Sequence, residues 1–291
     1  MFSSRLEIYL FTRVALARAM TRDIGILVIG TPDQVGDISL QSIIRAHPNS
    51  KIHAMVDSDG FHWLNVRSGF SDTLCFHYVE NSDVTRWKGN FESFGSIAFN
   101  ELTRYKWILI LETFEKHLDQ SEFLFTDLDI FWRSKLKARG DSEDDSSLIF
   151  QMDCDSIGRR RFCTGVVFIK RSGIHLIQKI LNFQSQSIAR NEALNDEKAC
   201  NRFIFGNELE ESVANIPREE AIIGRDFLRT LTWWRNMSCF HANYMNVKQK
   251  RIALECMKLR NHGNPKWIFL FFVLATELLS SKLKARFNWF F

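Results

Sequence analysis

Residues 122–132, EFLFTDLDIFW, decide the fold and much of the chemistry open to this chain. The stretch 122–126 is short and mostly aromatic or aliphatic, and a carboxylate follows it directly. This is the pattern of a buried strand that runs to the edge of a sheet. Bulky residues resume at 130–132, so Asp127 and Asp129 form an i, i+2 pair of carboxylates inside strongly apolar sequence.

Similar apolar runs recur on both sides of this stretch. Further strands are predicted at 24–31, 51–57, 73–79, 147–152 and 165–170, and helices at 38–47, 102–118, 173–189, 194–205 and 247–261. Strands that alternate with helices form a mainly parallel sheet with helices on both faces. The predicted fold class is therefore α/β with a Rossmann-type sheet, whose ligands bind outside the carboxyl ends of the strands.

The composition narrows the functional classes. The chain has 291 residues, of which 45% are hydrophobic and 25% charged, which excludes a disordered chain and a multi-span membrane protein. Its 38 basic residues nearly match its 34 acidic ones, so no nucleic-acid partner is expected. The six cysteines lie mostly in apolar runs without a CxxC pair, which predicts free thiols and a cytoplasmic or peripheral-membrane location. The glycosylation triplet at 236–238 would instead suit a Golgi lumen.

The two ends of the chain differ in composition from the α/β region at 24–265, which is predicted to be one domain with an acidic insertion at 137–147. Residues 1–23 form a basic segment, either an ordinary first helix or an amphipathic surface helix. Residues 266–291 join the apolar run WIFLFFVLATELL to cations and a terminal FNWFF. This run is too short to span a bilayer, so peripheral membrane contact and a buried C-terminal helix are the two interpretations.

The chemistry of the aspartate pair depends on what offsets the cost of placing two carboxylates in apolar surroundings. One Mg²⁺ or Mn²⁺ does so, because two carboxylates at a strand end can bind the ion and leave positions for phosphate oxygens. The alternative is a polar turn, where aspartate is common. Two other Asp-x-Asp triplets, at 57–59 and 153–155, also follow apolar strands, but only the middle triplet has bulky residues on both sides.

Two reactions use such a pair. In a haloacid-dehalogenase phosphatase the first aspartate is the nucleophile, but Phe131 replaces the Thr or Val expected after the pair. The acidic cluster at 140–144 also follows too soon for a second metal-binding strand end. In glycosyl transfer from a nucleotide sugar, the metal neutralises the diphosphate that leaves. The sequence favours the second reaction.

At this point the sequence resembles the nucleotide-diphospho-sugar transferases of the GT-A type, and more narrowly the family of plant cell-wall arabinosyl- and xylosyltransferases. The matching blocks, in order, are FLFTDLDIFW at 123–132, QMD at 151–153, TGVVFIKRS at 164–172, NDEKACNRF at 195–203 and HANY at 241–244. Three positions depart from the family pattern. Cys163 replaces Asn, Glu197 replaces Gln and Val247 replaces Gly.

The resemblance implies a GT-A-like fold and a metal-dependent transfer of a sugar, with retention of configuration. The expected donor is a UDP-sugar, and the acceptor is a hydroxyl of a glycan, a protein or a lipid-linked molecule. Asp127, Asp129 and His241 would bind Mn²⁺ or Mg²⁺, and Thr31, Lys106, Asp127 and Lys248 would contact the donor. Asp153, Asp196 and Glu197 would lie around the sugar as catalytic residues.

Three of these roles have a simpler alternative interpretation. His241 could be a hydrogen-bonded core histidine, Lys248 a solvated helix lysine and Thr31 a plain turn residue. Two other functions also stay open: a phosphatase that uses Asp127, and an inactive relic that binds sugar nucleotides.

Overall fold

The computed structural model describes residues 22–67, 73–79, 97–117, 120–136, 146–154, 160–192, 194–243 and 245–287. Within them, the strands are β1 (Asp23–Val28), β2 (Ile52–Val56), β3 (Leu74–Tyr78), β4 (Glu122–Thr126), β5 (Ile130–Trp132), β6 (Leu148–Cys154), β7 (Arg160–Lys170), β8 (Val213–Ile216), β9 (Ala221–Ile223) and β10 (Cys239–His241). The α-helices are α1 (Gln34–Ala46), α2 (Ser58–Asn65), α3 (Ile97–Lys116), α4 (Ile174–Ala189), α5 (Asp196–Gly206), α6 (Thr230–Trp233), α7 (Val247–Asn261) and α8 (Lys266–Phe287).

The central sheet confirms the predicted α/β class. Its seven described strands lie in the order β3-β2-β1-β4-β7-β6-β8, and all neighbours are parallel except where β7 pairs with β4 and β6. The strand predicted at 165–170 begins earlier, at Arg160, because its first half pairs with β6 alone. A smaller sheet of order β5-β10-β9 lies beside the carboxyl end of β4.

Hydrophobic cores cover both faces of the central sheet, as predicted. Along β4, Phe123 and Phe125 pack into one core with α3, α4 and α5, whereas Leu124 packs into the other core with α1. This alternation follows from the two-residue period of a strand. A third core joins the small sheet to α7 and α8, through Phe240 and Leu254 among others.

The C-terminal helix contributes to this third core on one face only. Phe271 and Leu274 are buried, and Phe271 stacks on Phe227 with ring centroids 5.0 Å apart. On the other face, Phe269 is 70% exposed and Phe272 is 64% exposed. In the described part of the chain, no helix has the length and hydrophobicity needed to cross a membrane.

Other sequence-based expectations concern the ends and the thiols. Of the basic segment 1–23, residues 1–21 lie outside the described residues, as do 137–145 of the acidic insertion. The five cysteines whose side chains are described are free thiols, as predicted: Cys75, Cys163, Cys200, Cys239 and Cys256.

Candidate active site

Asp127 and Asp129 lie in the turn between β4 and β5, where the two sheets meet. The backbone N–H of Asp127 donates to the carbonyl of Gly165 in β7 (2.9 Å), and the N–H of Ala242 donates to the carbonyl of Asp129 (3.0 Å). His241 pairs with Ile130 across the β5–β10 ladder, which brings its imidazole to the turn. One ligand atom each of Asp127, Asp129 and His241 lies within 4.8 Å of the others.

The imidazole of His241 is held in one orientation by a buried glutamine. The amide nitrogen of Gln151 donates to the carbonyl of Ala221 (3.2 Å), so its Oε1 faces Nδ1 of His241 at 2.9 Å. Because that oxygen can only accept, Nδ1 carries a proton, which leaves Nε2 as the ring nitrogen that can bind a metal. Nε2 lies 3.1 Å from Oδ1 of Asp129. Adjacent ligands of an octahedral cation with bonds of about 2.1 Å lie about 3 Å apart. The spacing of Nε2 and Oδ1 therefore suits a divalent cation, and Asp127 adds a third ligand atom within 4.8 Å of both.

Gly165 makes room for this histidine. A Cβ at Gly165 would lie 2.2 Å from Cε1 of His241 and 2.6 Å from Nδ1. The space arises at an irregularity in the β6–β7 pairing, where Phe150 faces Val167 but the next residue, Gln151, faces Cys163. Such a bulge turns the extra residues of β7 out of the ladder and toward the site. The sequence assigned Gly165 no role, although it stands in one of the blocks that resemble the transferase family.

Cys163 lies next to the same imidazole, with its sulfur 3.5 Å from Nδ1 of His241. Burial raises the pKa of the Cys163 thiol well above its ordinary value. The protonated thiol packs against the histidine ring, and among the described residues Cys163 is not part of the Asp127–Asp129–His241 group.

Lys106 places a buried positive charge beside Asp127. Its Nζ lies 2.5 Å from Oδ2 of Asp196, 2.7 Å from the carbonyl of Thr164 and 3.3 Å from Oδ1 of Asp127. Burial alone would lower the pKa of this ammonium, but the carboxylates of Asp127 and Asp196 outweigh it and raise the pKa. Burial also raises the pKa of Asp127, to about 6, despite Lys106. Asp196 accepts a further bond from the hydroxyl of Thr164 (2.6 Å), so its carboxylate anchors Lys106.

The two other predicted catalytic carboxylates are each paired with an arginine. Asp153 is buried, and its Oδ2 accepts from Arg225 at 3.0 Å. Glu197 accepts from Arg161 at 2.8 Å. Burial, followed by repulsion from Asp196, raises the pKa of Glu197 to about 7, although Arg161 opposes this. Glu197 therefore changes its charge near neutral pH.

The chain is similar in fold to several proteins of known structure. No protein-family profile and no curated protein sequence matches it. Among solved structures, it is similar to a glycosyltransferase involved in glycosylation of the major capsid of PBCV-1, with 13% identity, a TM-score of 0.50, and 80% of this chain and 98% of that chain covered. The galactosyltransferase LgtC in complex with donor and acceptor sugar analogues has 13% identity, a TM-score of 0.50 and coverage of 86% and 95%. Mouse xyloside xylosyltransferase 1 has 10% identity, a TM-score of 0.50 and coverage of 77% and 98%.

The chain has the GT-A glycosyltransferase fold. At these identities the likeness concerns the fold alone. It agrees with the fold that the sequence blocks imply, and it sets the Asp127–Asp129–His241 cluster at the carboxyl edge of a GT-A sheet.

In this GT-A fold, the two lysines near the start of α7 point to different places. Lys248 is 72% exposed, and its Nζ lies 2.7 Å from Oε1 of Glu277 in α8. Lys250 is 25% exposed, and its Nζ lies 2.5 Å from Oδ2 of Asp129. Lys250 therefore reaches the cluster, whereas Lys248 contacts the C-terminal helix. The sequence gave the donor contact to Lys248, because a local pattern cannot tell which side of α7 faces the site.

The loop after β1 borders a separate opening at the same edge of the GT-A sheet. Thr31 is exposed in this loop and lies outside the Asp–Asp–His cluster. A cavity of about 620 Å³ lies between the loop and α7, and its lining consists of Asp33, Gln34, Val247, Lys248, Arg251 and Ile252.

The first Asp-x-Asp triplet has a structural role. The carboxylate of Asp57 accepts from the backbone N–H of Gly60 (2.7 Å), which caps α2, and from the N–H of Gly30 (3.0 Å) after β1. Gly30 has a φ of +71°, in the left-handed region that favours glycine. Asp57 thus fixes two pieces of backbone and is not part of the Asp127–Asp129–His241 cluster.

Proposed function

We propose that this protein is a metal-dependent glycosyltransferase that moves a sugar from a nucleotide-diphosphate sugar to an acceptor hydroxyl, with retention of configuration. The observation that carries the proposal is the Asp127–Asp129–His241 cluster at the carboxyl edge of a GT-A sheet, with Lys106 and Lys250 beside it. Carboxylates and cations gathered at one point suit a diphosphate and its metal better than an uncharged ligand.

The metal would be held by one oxygen of each aspartate and by Nε2 of His241. When bound, it supplies Lewis-acid neutralisation of the departing diphosphate. Manganese suits this set better than magnesium, because magnesium strongly prefers oxygen and one ligand here is an imidazole nitrogen. Gln151 keeps a proton on Nδ1, so Nε2, beside Asp129, is the ring nitrogen that would bind the metal.

The two lysines would bind different parts of the donor. Lys250 extends from the exposed side of the cluster and would contact the diphosphate, the role that the sequence gave to Lys248. Lys106 is buried and fixed by Asp196, so it would act at short range, as a stationary charge beside Asp127. Asp196 would then be a positioning residue, since Lys106 and Thr164 both bond its Oδ2.

Glu197 and Asp153 are the carboxylates that remain for the sugar itself. In a retaining transfer the anomeric carbon becomes positively charged as the diphosphate leaves, and a nearby carboxylate stabilises that charge. With a pKa raised to about 7, Glu197 would accept hydrogen bonds when ionised and donate one when protonated. Asp153 is buried against Arg225, so we propose that this pair orients sugar hydroxyls.

The donor is proposed to be a UDP-sugar. The cavity of about 620 Å³ between the β1 loop and α7 offers a carboxylate, an amide and two cations through Asp33, Gln34, Lys248 and Arg251. These groups can bond the hydroxyls of a ribose and the edge of a base. Thr31 lies in the same loop and would contact the nucleoside through its backbone.

The acceptor is proposed to be a hydroxyl of a glycan, a protein or a lipid-linked molecule, reached beside a membrane surface. Support for the membrane contact comes from the exposed Phe269 and Phe272 on α8 and from the cations at 282–286 in the sequence. Apolar side chains near cations match the layers of an anionic bilayer surface.

The test is a screen of UDP- and GDP-sugars for Mn²⁺-dependent release of nucleoside diphosphate. Asp129→Asn should abolish turnover, because it removes one anionic ligand from the metal. Asp59→Asn is the matched control, since it changes an exposed aspartate of another Asp-x-Asp triplet.

Four results would contradict the proposal. Turnover that persists in a chelator, or in Asp129→Asn, would exclude the metal role. Phosphate release from simple monoesters would favour the phosphatase that uses Asp127, and donor binding without turnover would favour an inactive relic.

A further inference from the structure

The two carboxylate oxygens of Asp129 contact two different side chains, the imidazole of His241 and the ammonium of Lys250. Oδ1 faces Nε2 of His241 at 3.1 Å, and Oδ2 faces Nζ of Lys250 at 2.5 Å. Lys250 thus occupies an oxygen of the same carboxylate that would ligate the metal. Together with Lys106 at Asp127, it gives each aspartate of the pair one ammonium partner.

The two ammonium groups differ in how firmly they are held. Lys106 is buried and is fixed by Asp196, Thr164 and Asp127 together. Lys250 is a quarter exposed, and Asp129 is the partner that the structure gives it. A lysine has a flexible four-carbon stem and a compact charge, so Lys250 can leave Asp129 with little change in the rest of the fold.

We propose that Lys250 is an exchangeable counter-ion, which neutralises Asp129 in the metal-free protein and is displaced when a divalent cation binds. This inference rests on the proposed metal site. A divalent ion on Oδ1 and an ammonium on Oδ2 of one carboxylate lie within a few ångströms of each other and repel, so metal binding weakens the contact between Lys250 and Asp129. Binding of the metal alone is therefore opposed by Lys250.

The displaced lysine also couples the metal to the donor. Once it leaves Asp129, Lys250 needs an anionic partner, and the diphosphate beside the metal supplies one. The nucleoside diphosphate then strengthens metal binding and the metal strengthens nucleotide binding by the same factor, because such coupling is reciprocal. Through this exchange the charge of Asp129 is offset by Lys250 before the metal binds, and the charge of the diphosphate is offset by Lys250 afterwards.

The experiment compares the full-length wild type with Lys250→Met and Lys248→Met. Lys248→Met is the matched control for the Mn²⁺ measurement without nucleotide, because Lys248 lies two residues away on the same helix, pairs with Glu277 and would contact the nucleoside, not the metal. Mn²⁺ affinity is measured by electron paramagnetic resonance without nucleotide, and UDP affinity is measured by calorimetry with and without Mn²⁺. Lys250→Arg keeps the charge and checks that an effect of Lys250→Met is electrostatic.

Lys250→Met should bind Mn²⁺ alone about 5-fold or more tightly than the wild type, and should lose most of the coupling between Mn²⁺ and UDP. Lys248→Met and Lys250→Arg should resemble the wild type in their Mn²⁺ affinity. Mn²⁺ affinity that is unchanged or weaker in Lys250→Met would overturn the exchange.

The experiment distinguishes a failure of the proposed function from a failure of the lysine exchange. If the wild type binds Mn²⁺ but no nucleoside diphosphate, the donor role fails while the Mn²⁺ comparison still decides the exchange. If none of the four proteins binds Mn²⁺, both the metal site and the exchange are wrong.

Discussion

Replacing Gly165 with alanine tests the packing that holds His241 in the cluster. The added Cβ would lie 2.2 Å from Cε1 of the imidazole, whereas non-bonded carbon atoms rest about 3.5–4.0 Å apart. The ring must therefore retreat by more than about 1 Å, because the backbone of β7 is fixed between β4 and β6. Gly165 has no left-handed φ, so strain would arise from the contact and not from the backbone of alanine itself.

The cost of this movement has two parts. Overpacking a filled site typically costs about 1–3 kcal/mol. A retreat of this size also breaks the 2.9 Å bond from Nδ1 of His241 to Gln151, which is worth about 1 kcal/mol. We expect Gly165→Ala to lower the free energy of unfolding by about 2–4 kcal/mol. Loss of the oriented imidazole should also weaken Mn²⁺ binding by about 10- to 100-fold.

Urea denaturation followed by circular dichroism measures the first quantity, and Mn²⁺ titration measures the second. Gly206→Ala is the matched control, since nothing lies within 4 Å of a Cβ at the end of α5. That variant should be neutral or up to about 1 kcal/mol more stable. The reasoning is refuted if Gly165→Ala keeps its stability within about 0.5 kcal/mol and its Mn²⁺ affinity.

Three further predictions concern charge and surface. Burial raises the pKa of Glu197 from 4.5 to about 7, so the folded protein holds the proton of this carboxyl more tightly than the unfolded chain does. The stability that this adds is fully present below about pH 4.5 and is lost as the pH rises through 7. Glu197→Gln should therefore gain about 2–3 kcal/mol relative to wild type between pH 5 and 9 in urea denaturation, and a gap that does not grow with pH would contradict this. Lys106→Met should cost about 3 kcal/mol, because the buried carboxylate of Asp196 loses its ammonium partner and keeps only the bond from Thr164 among its side-chain donors in the described residues. A melting temperature close to that of the wild type would argue against the buried ion pair. Phe269→Ser with Phe272→Ser should abolish co-sedimentation with anionic vesicles while Tm is retained, and unchanged binding would remove the membrane role of α8.

The strands and the fold class were predictable because they depend on short-range patterns. The apolar residues around Asp127 and Asp129 show both the strand and its end, and the strand–helix alternation gives the sheet. The short helix α2 was not predicted, since it has eight residues and starts at a cap, Asp57, that reads equally as a turn or a ligand. Periodicity is weak evidence over so few residues.

The support around the site was less predictable, because it depends on contacts between distant parts of the chain. Gln151 orients His241 across 90 positions, and the amide itself is fixed by a carbonyl 70 positions away. The choice between Lys248 and Lys250 needs the rotation of α7 against the small sheet and α8. No local pattern contains that rotation, since both lysines lie in the same polar stretch.

The two hydrogen bonds that the carboxylate of Asp57 accepts have a consequence for the entropy of ligand binding. One buried carboxylate holds the N–H of Gly30 and the N–H of Gly60, so the start of the β1 loop and the start of α2 are ordered together when the protein folds. A Cβ at Gly60 would lie 2.0 Å from the carbonyl of Val28, so the two segments are also in direct contact. A loop whose backbone is fixed in this way does not lose that freedom again when a ligand arrives. The conformational cost of arranging this edge of the sheet is therefore met during folding, before any ligand binds.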